Sequence, residues 1–115
     1  MQTLLKLISA FVLLLASAHA LAATDLSFIK PGLIHQDLRP SLLAKGWQPV
    51  PNRAIENSSL YAQEIHSLGL TEVVDCISME IDACTFEYRK KNQVLTIKTI
   101  TRQGEVASFK VKTLP

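Results

Sequence analysis

Glycine is scarce in this sequence, which has four glycines among its 115 residues. None of them stands in a glycine-rich loop of the kind that cradles a phosphate group, so the sequence carries no nucleotide-binding motif. An excess of one charge is also missing, because twelve Lys and Arg face ten Asp and Glu, for a formal net charge of +2. Proteins that bind nucleic acid need a basic surface. We therefore expect no nucleic-acid partner.

A long apolar run is missing as well. A membrane-spanning helix needs about 20 apolar residues, whereas the apolar run here extends from Leu7 to about Ala16. Lys6 precedes this run, and two A-x-A patterns of the kind that a signal peptidase reads end at Ala20 and Ala22. We predict that residues 1–22 are a signal peptide cleaved after Ala22, with Ala20 and Ala23 as alternatives. The expected product is periplasmic or secreted and has no membrane span.

Cysteine is scarce too, with Cys76 and Cys84 as its two occurrences. Their spacing is too long for the C-x-x-C motif of redox enzymes. A zinc site completed by His35 or His66 would lack a clear fourth ligand, so we expect no metal and no cofactor. Because compartments outside the inner membrane are oxidising, we predict a Cys76–Cys84 disulfide, with free or redox-active thiols as the alternative.

Two helices are predicted in residues 23–115, which are long enough for one compact domain. The first starts near Gln36 or Asp37, with Pro40 in its first turn, and ends before Gly46. Its apolar side consists of three residues at helical spacing, Leu38, Leu42 and Leu43. The second helix is capped by Ser58 or Ser59 and presents four apolar residues, Leu60, Tyr61, Ile65 and Leu68.

Alternating apolar residues predict four strands after Gly69, namely Thr71–Ile77, Cys84–Lys90, Val94–Thr101 and Val106–Thr113. Pairing Cys76 with Cys84 sets Val74 opposite Phe86. A two-residue turn at Lys91-Asn92 then sets Phe86 opposite Ile97 and Tyr88 opposite Leu95. For the last turn we predict a three-residue loop with a glycine bulge, which sets Ile97 opposite Val111 and Thr99 opposite Phe109.

These elements predict an α+β fold, a two-layer sandwich with two short helices on one face of an antiparallel sheet of about four strands. The expected core joins residues of both layers, namely Leu38, Leu42, Leu43, Trp47, Ile65, Leu68, Phe86, Tyr88, Leu95, Ile97 and Phe109. The opposite sheet face is expected to be polar and to carry Asp75, Thr85, Glu87, Thr96, Lys98, Lys110 and Lys112.

Four charged residues are candidate partner contacts. Glu80 and Asp82 lie in the loop that the disulfide closes, and two carboxylates are too few for a calcium site. Lys98 and Lys110 lie on the polar sheet face. We predict no catalytic residue, because His35 and His66 stand in no motif that supplies a nucleophile and an orienting group.

Two segments of the chain, GLIHQDLRPSLLAKGWQPV and LYAQEIHSLGLTEVVDCISMEIDACTFEYRKKNQVLTIKT, together resemble a group of small exported proteobacterial proteins of uncharacterised function. In that group a helix ending in G-W-x-P is followed by an E-x3-C-x7-C-x-F segment. The matching residues are Leu38, Arg39, Leu42, Leu43, Gly46, Trp47, Pro49, Glu72, Cys76, Cys84 and Phe86. The resemblance implies a fold and an exported location, and it implies no activity.

The sequence favours a non-enzymatic module that binds another periplasmic or secreted protein through the polar sheet face or the disulfide loop. One alternative is an inhibitor or immunity protein that inserts the acidic loop into the basic cleft of a cell-wall hydrolase. Another is a small-ligand carrier or an enzyme that uses a pocket between helices and sheet. An open cavity lined by His66 or Tyr61 would favour this last alternative.

Overall fold

Residues 25–78 and 81–115 are described by a computed structural model of the chain. The predicted signal peptide, with Ala20, Ala22 and Ala23, lies outside the described residues, and so does Glu80. The described residues contain helix α1 (His35–Ala44), helix α2 (Leu60–Ser67) and strands β1 (Gln48–Pro49), β2 (Val73–Ser78), β3 (Asp82–Lys90), β4 (Gln93–Ile100) and β5 (Glu105–Thr113). In this part of the chain no helix has the length and hydropathy needed to cross a membrane.

Helix α1 starts slightly earlier than predicted. Its first backbone N–H, that of His35, donates to the Gly104 carbonyl at 2.8 Å, which satisfies a group that a helix start leaves without an internal partner. Pro40 consequently lies in the second turn and removes one backbone hydrogen bond from the helix. The helix ends before Gly46, whose φ of 90° suits glycine.

Helix α2 begins as predicted after Ser59, whose side chain accepts a hydrogen bond from the Ala62 N–H at 3.1 Å. The predicted apolar sides of the two helices were too wide. Leu43 is exposed, and Leu60 and Leu68 are 83% and 66% exposed. Each helix meets the sheet along a narrow stripe, so that residues outside it face solvent.

The sheet is antiparallel with the order β1-β3-β4-β5, and β2 pairs with the same strand β3. Strand β1 lies opposite the end of β3, where Pro49 pairs with Tyr88. The α+β fold and its antiparallel sheet are therefore confirmed, with five strands instead of about four. Three predicted register pairs are also present, namely Cys76 with Cys84, Phe86 with Ile97 and Tyr88 with Leu95.

The predicted pairing of Val74 with Phe86 is wrong, because the strand bulges at this point. Val73 pairs with Phe86 and is buried, whereas Val74 is 40% exposed. The Asn52 side-chain amide donates to the carbonyls of Val73 and Val74, both at 3.0 Å, and the Ser58 hydroxyl donates to the Val74 carbonyl at 3.1 Å. These side chains satisfy carbonyl groups next to the irregularity, and this stabilises the bulge.

The predicted register of β5 is also wrong. The turn contains four residues, 101–104, since Ile100 pairs with Glu105. The bulge that we predicted at this turn lies instead inside β5, where one extra residue stands between the pairs Lys98–Ser108 and Thr99–Val106. Ile97 therefore pairs with Phe109. Phe109 is on an edge strand and is 37% exposed, so that it contributes less to the core than predicted.

The core lies between the helices and one sheet face. Predicted core residues that are buried include Leu38, Leu42, Trp47, Phe86, Tyr88, Leu95 and Ile97. Val106 and Ile29 are also buried, and Ile29 brings the segment before α1 into the same cluster. Three polar or charged residues are buried with them, His35, Glu72 and Thr99.

Candidate functional site

The disulfide joins Cys76 and Cys84 across β2 and β3, as predicted, with a Cα–Cα distance of 4.1 Å. Both cysteines are buried. We call residues 73–90 the disulfide hairpin. Next to its tip, Ile77 and Ile81 are 61% and 59% exposed, so two large aliphatic side chains reach solvent four positions apart in the sequence.

Asp82, a predicted partner contact, has an ion-pair partner within the molecule. The Arg102 guanidinium donates from Nε to its carboxylate at 3.1 Å. The same guanidinium lies over the Tyr61 ring, 4.6 Å from the ring centroid, at a distance suited to a cation–π contact. Asp82 is therefore part of a local Asp82–Arg102–Tyr61 contact rather than an isolated acidic group.

Lys98 and Lys110 lie on the sheet face that points away from the helices, and both are exposed. Lys98 pairs with Thr85 and Ser108, and Lys110 pairs with Thr96. Asp82 lies two positions before the inward-facing Cys84 on β3, so both side chains point to the helix side of the sheet. The structure thus brings the two lysines onto one surface but places Asp82 on the other side of the sheet.

A buried chain of polar side chains connects α1, the start of β2, and β3. The Arg39 guanidinium donates to both oxygens of the Glu72 carboxylate, at 2.6 Å from Nε and 3.3 Å from Nη2. The Tyr88 hydroxyl donates to Glu72 Oε2 at 2.6 Å. His35 Nε2 lies 2.7 Å from the Tyr88 oxygen. We call these four residues the buried polar chain.

The charges within the buried polar chain follow from burial and hydrogen bonding. Burial raises the pKa of the Glu72 carboxyl, but the hydrogen bonds from Arg39 and Tyr88 outweigh burial, and the pKa is lowered overall. Burial, together with the hydrogen bond to Glu72, raises the pKa of Tyr88. Burial also lowers the pKa of His35 to about 4, although the Glu72 carboxylate opposes this shift. At neutral pH, Glu72 is ionised and His35 is uncharged.

These protonation states fix the tautomer of His35. Tyr88 has one hydroxyl proton, which it donates to Glu72, since an ionised carboxylate can only accept. The Tyr88 oxygen then accepts from His35 Nε2, which carries the imidazole proton. His35 Nδ1 therefore holds a lone pair, and it makes no hydrogen bond to any residue that the structure describes.

A cavity of about 420 Å³ opens beside the His35 ring. Its apolar walls include Ile34, Ile65, Leu70 and Phe86, and the Phe86 ring is stacked on the His35 ring with 3.9 Å between centroids. Tyr61 and Arg102 are also part of its lining. The volume falls within the range of about 300–1,000 Å³ that small-molecule sites occupy.

No protein-family model, curated protein or solved structure matches this chain. Within residues 25–78 and 81–115, no group of three His, Cys, Asp or Glu side chains is arranged to hold a metal ion. In the same residues, no buried side-chain nitrogen or oxygen lacks a hydrogen-bond partner. Since His35 Nδ1 has no partner in this part of the chain, it is not fully enclosed, and His35 is one of the residues that line the cavity.

Sequence reasoning missed the buried polar chain, although two of its signals were visible. Arg39 and Glu72 both belong to the residues that carry the resemblance to the exported proteobacterial group. Tyr88 was predicted to face the core, and a buried tyrosine hydroxyl needs a hydrogen-bond partner. The opposite charges of Arg39 and Glu72, together with the Tyr88 hydroxyl that needs a partner, indicate Glu72 as the group that binds both. Nothing in the local sequence indicated that His35 would join them.

Proposed function

We propose that this protein is an exported, non-enzymatic module that binds another protein through the disulfide hairpin. The observation that carries the proposal is the exposure of Ile77 and Ile81 on the two sides of the hairpin tip. Val74, on the same strand as Ile77, is exposed as well. Exposed aliphatic side chains gathered along one element are typical of a protein interface.

The two strands of the hairpin are well suited to recognition because they are held against each other and against the rest of the domain. The disulfide fixes Cys76 against Cys84, and Asn52 and Ser58 hold the carbonyl groups at the bulge. A recognition element that is ordered before binding loses less conformational entropy when the complex forms. The disulfide also suits an oxidising compartment, which supports export.

The contact that we propose is mainly apolar. Asp82 is paired with Arg102, which weakens the case for an acidic loop that enters a basic cleft of a cell-wall hydrolase. Fully burying an isoleucine side chain contributes about 1.5–3 kcal/mol, and Ile77 and Ile81 have 61% and 59% of their surface left to bury, so the two together supply an apolar anchor. The partner is therefore expected to present an apolar groove. Lys98 and Lys110 lie on the outer face of the same sheet and supply charge at its margin.

The neighbours of His35 support a non-enzymatic role. In the described part of the chain its ring contacts Phe86 and Tyr88, whereas hydrolysis of the Ser–His or Cys–His type requires a histidine next to a serine or thiol nucleophile. The one sulfur group near the cavity, that of Cys84, is in the disulfide. The histidine therefore lacks the group that it would have to activate.

The test is capture of a partner by the immobilised protein from the exported fraction of the source cells. We compare the wild-type protein with the Ile77→Ser/Ile81→Ser double variant and with Leu68→Ser, a control that changes a similarly exposed leucine directly after α2. A specific partner should be retained by the wild type and the control and lost with the double variant. With the purified partner, the double variant should raise Kd at least about tenfold.

Thermal unfolding of the three proteins shows whether each variant is folded. Retention of the same protein by the double variant, or the absence of any protein retained by the wild type, would contradict docking through the hairpin tip.

A further inference from the structure

The cavity beside His35 has no part in the proposed hairpin contact. It lies on the helix side of the sheet, whereas Ile77 alternates with the inward-facing Cys76 and points to the outer side. The cavity is also not a closed packing defect, because exposed residues of α1 and of the turn at 101–104 contribute to its lining. It therefore requires an explanation of its own.

We propose that this cavity binds a small, mainly apolar and uncharged ligand whose hydroxyl group, or equivalent hydrogen-bond donor, is accepted by His35 Nδ1.

The hydrogen bonds between His35, Tyr88 and Glu72 have a fixed direction. His35 is 2% exposed, and its Nε2 proton is committed to Tyr88, since Tyr88 gives its own proton to Glu72. The remaining ring nitrogen is a lone-pair acceptor. Arg39 holds Glu72 ionised. Through Glu72 and Tyr88 it thereby determines which nitrogen of the His35 ring is the acceptor. A ligand must supply the proton of this hydrogen bond, which selects a hydroxyl or N–H group.

The groups that line the cavity offer no free charge to an anion. The imidazole is uncharged above pH 5, because burial lowers its pKa to about 4. It therefore offers no cation to a carboxylate or phosphate. The guanidinium of Arg102 at the cavity is already paired with Asp82. The cavity as a whole therefore favours an uncharged ligand over an anion.

The walls of the cavity include several apolar side chains. Ile34, Ile65, Leu70 and the stacked Phe86 ring form apolar surface, which favours an aliphatic or aromatic body. Thr99 also lines the cavity, but its hydroxyl lies 3.5 Å from the Cys84 carbonyl. Among the buried polar side chains of the lining, His35 supplies an imidazole acceptor that can orient a ligand. A polar contact in an apolar cavity gives specificity because an unmatched ligand leaves it unsatisfied.

The experiment uses two probes of similar shape, 2-naphthol and 2-methoxynaphthalene, which differ in whether they can donate a hydrogen bond. Binding to the exported protein is measured at pH 7 by titration of amide NMR signals. We expect 2-naphthol to shift signals of residues that line the cavity, Ile65, Leu70, Thr99 and Thr101 among them. We expect the methyl ether to bind about tenfold more weakly, since one hydrogen bond to a neutral acceptor has about this value.

A substitution tests the role of Nδ1 itself. In His35→Leu both ring nitrogens are gone, so that position 35 offers no acceptor. The preference for 2-naphthol should fall to about onefold in this variant, as expected when the one hydrogen bond that separates the probes is lost. His66→Leu makes the same chemical change on α2, outside the cavity lining, and should keep the preference.

The wild-type protein alone also decides the question, should His35→Leu not fold. The ¹⁵N signal of His35 Nδ1 should move when 2-naphthol is added and stay unchanged with the ether. Equal binding of both probes would show an apolar cavity without donor recognition and would overturn the proposal. Absence of binding at millimolar concentration, or shifts confined to other surfaces, would overturn it as well. None of these results depends on the hairpin contact, which is tested with different variants.

Discussion

Protonation of His35 should destabilise the fold at mildly acidic pH. The pKa of this imidazole is about 4 in the folded protein and 6.5 when unperturbed, so the unfolded chain binds the proton more tightly. Its contribution to stability is complete above pH 6.5 and is lost as the pH falls toward 4. The groups around the ring are Glu72, which favours the charged form, and Arg39, which opposes it.

The size of the effect follows from the difference between the two pKa values. Each tenfold difference in proton affinity corresponds to about 1.4 kcal/mol, so the full loss is about 3 kcal/mol, of which about 2 kcal/mol appears between pH 7.5 and pH 5. This is a large fraction of the 5–15 kcal/mol that is typical of a folded domain, about half of it at the low end. The lowered pKa values of Glu72 and Asp75 place their own effects at more acidic pH.

The assay is urea unfolding at several pH values between 5 and 7.5, on the wild type and on His35→Gln, which has no titrating group at this position. The free energy of unfolding of the wild type should fall over this range, and that of the variant should change much less. His66→Gln is the matched control and should follow the wild type. A wild type that keeps its stability to pH 5, or a variant with the same pH dependence, would refute the assignment of a neutral buried imidazole.

Three further predictions concern stability, each measured by urea unfolding at pH 7. Tyr88→Phe removes a hydroxyl with two buried partners and should lower the free energy of unfolding by about 1–3 kcal/mol. Tyr61→Phe is its control and should change that energy by less than about 0.5 kcal/mol; equal losses would contradict the buried polar chain. Replacing both Cys76 and Cys84 by alanine should cost about 2–3 kcal/mol, because the bridge closes a short loop in the unfolded chain, and an unchanged stability would rule this out. Leu42→Ala should cost about 2–5 kcal/mol, since Leu42 is fully buried, and a loss below about 1 kcal/mol would place this residue outside the core.

The central part of the sheet could be predicted because local signals agree there. The two-residue turn after Lys90 and the cysteine pair each fix a register, and both put Phe86 and Tyr88 on the same face. Slipping either strand by one residue would expose those rings. The ends of the sheet lack such agreement. The bulge at Val74 depends on Asn52 and Ser58, whose contacts are made only in the folded protein.

The candidate site was less predictable than the fold, since its residues acquire their properties from one another. His35 stands in no motif, and its neutral state results from burial against Phe86 and Tyr88. Glu72 is an ordinary acidic residue in sequence, and its burial is acceptable because Arg39 binds it. The exposed isoleucines at the hairpin tip could not be separated by pattern from core residues, because alternation is the same for both faces of a strand.

The attachment of α1 to the final hairpin has a consequence for the order in which the molecule matures. The His35 N–H binds the Gly104 carbonyl, and Ile34 bridges to Glu105, so residues about 70 positions apart in the sequence meet at one wall of the cavity. A chain whose last two strands have not yet docked has no such wall. A molecule that binds in the cavity would therefore stabilise only the finished domain.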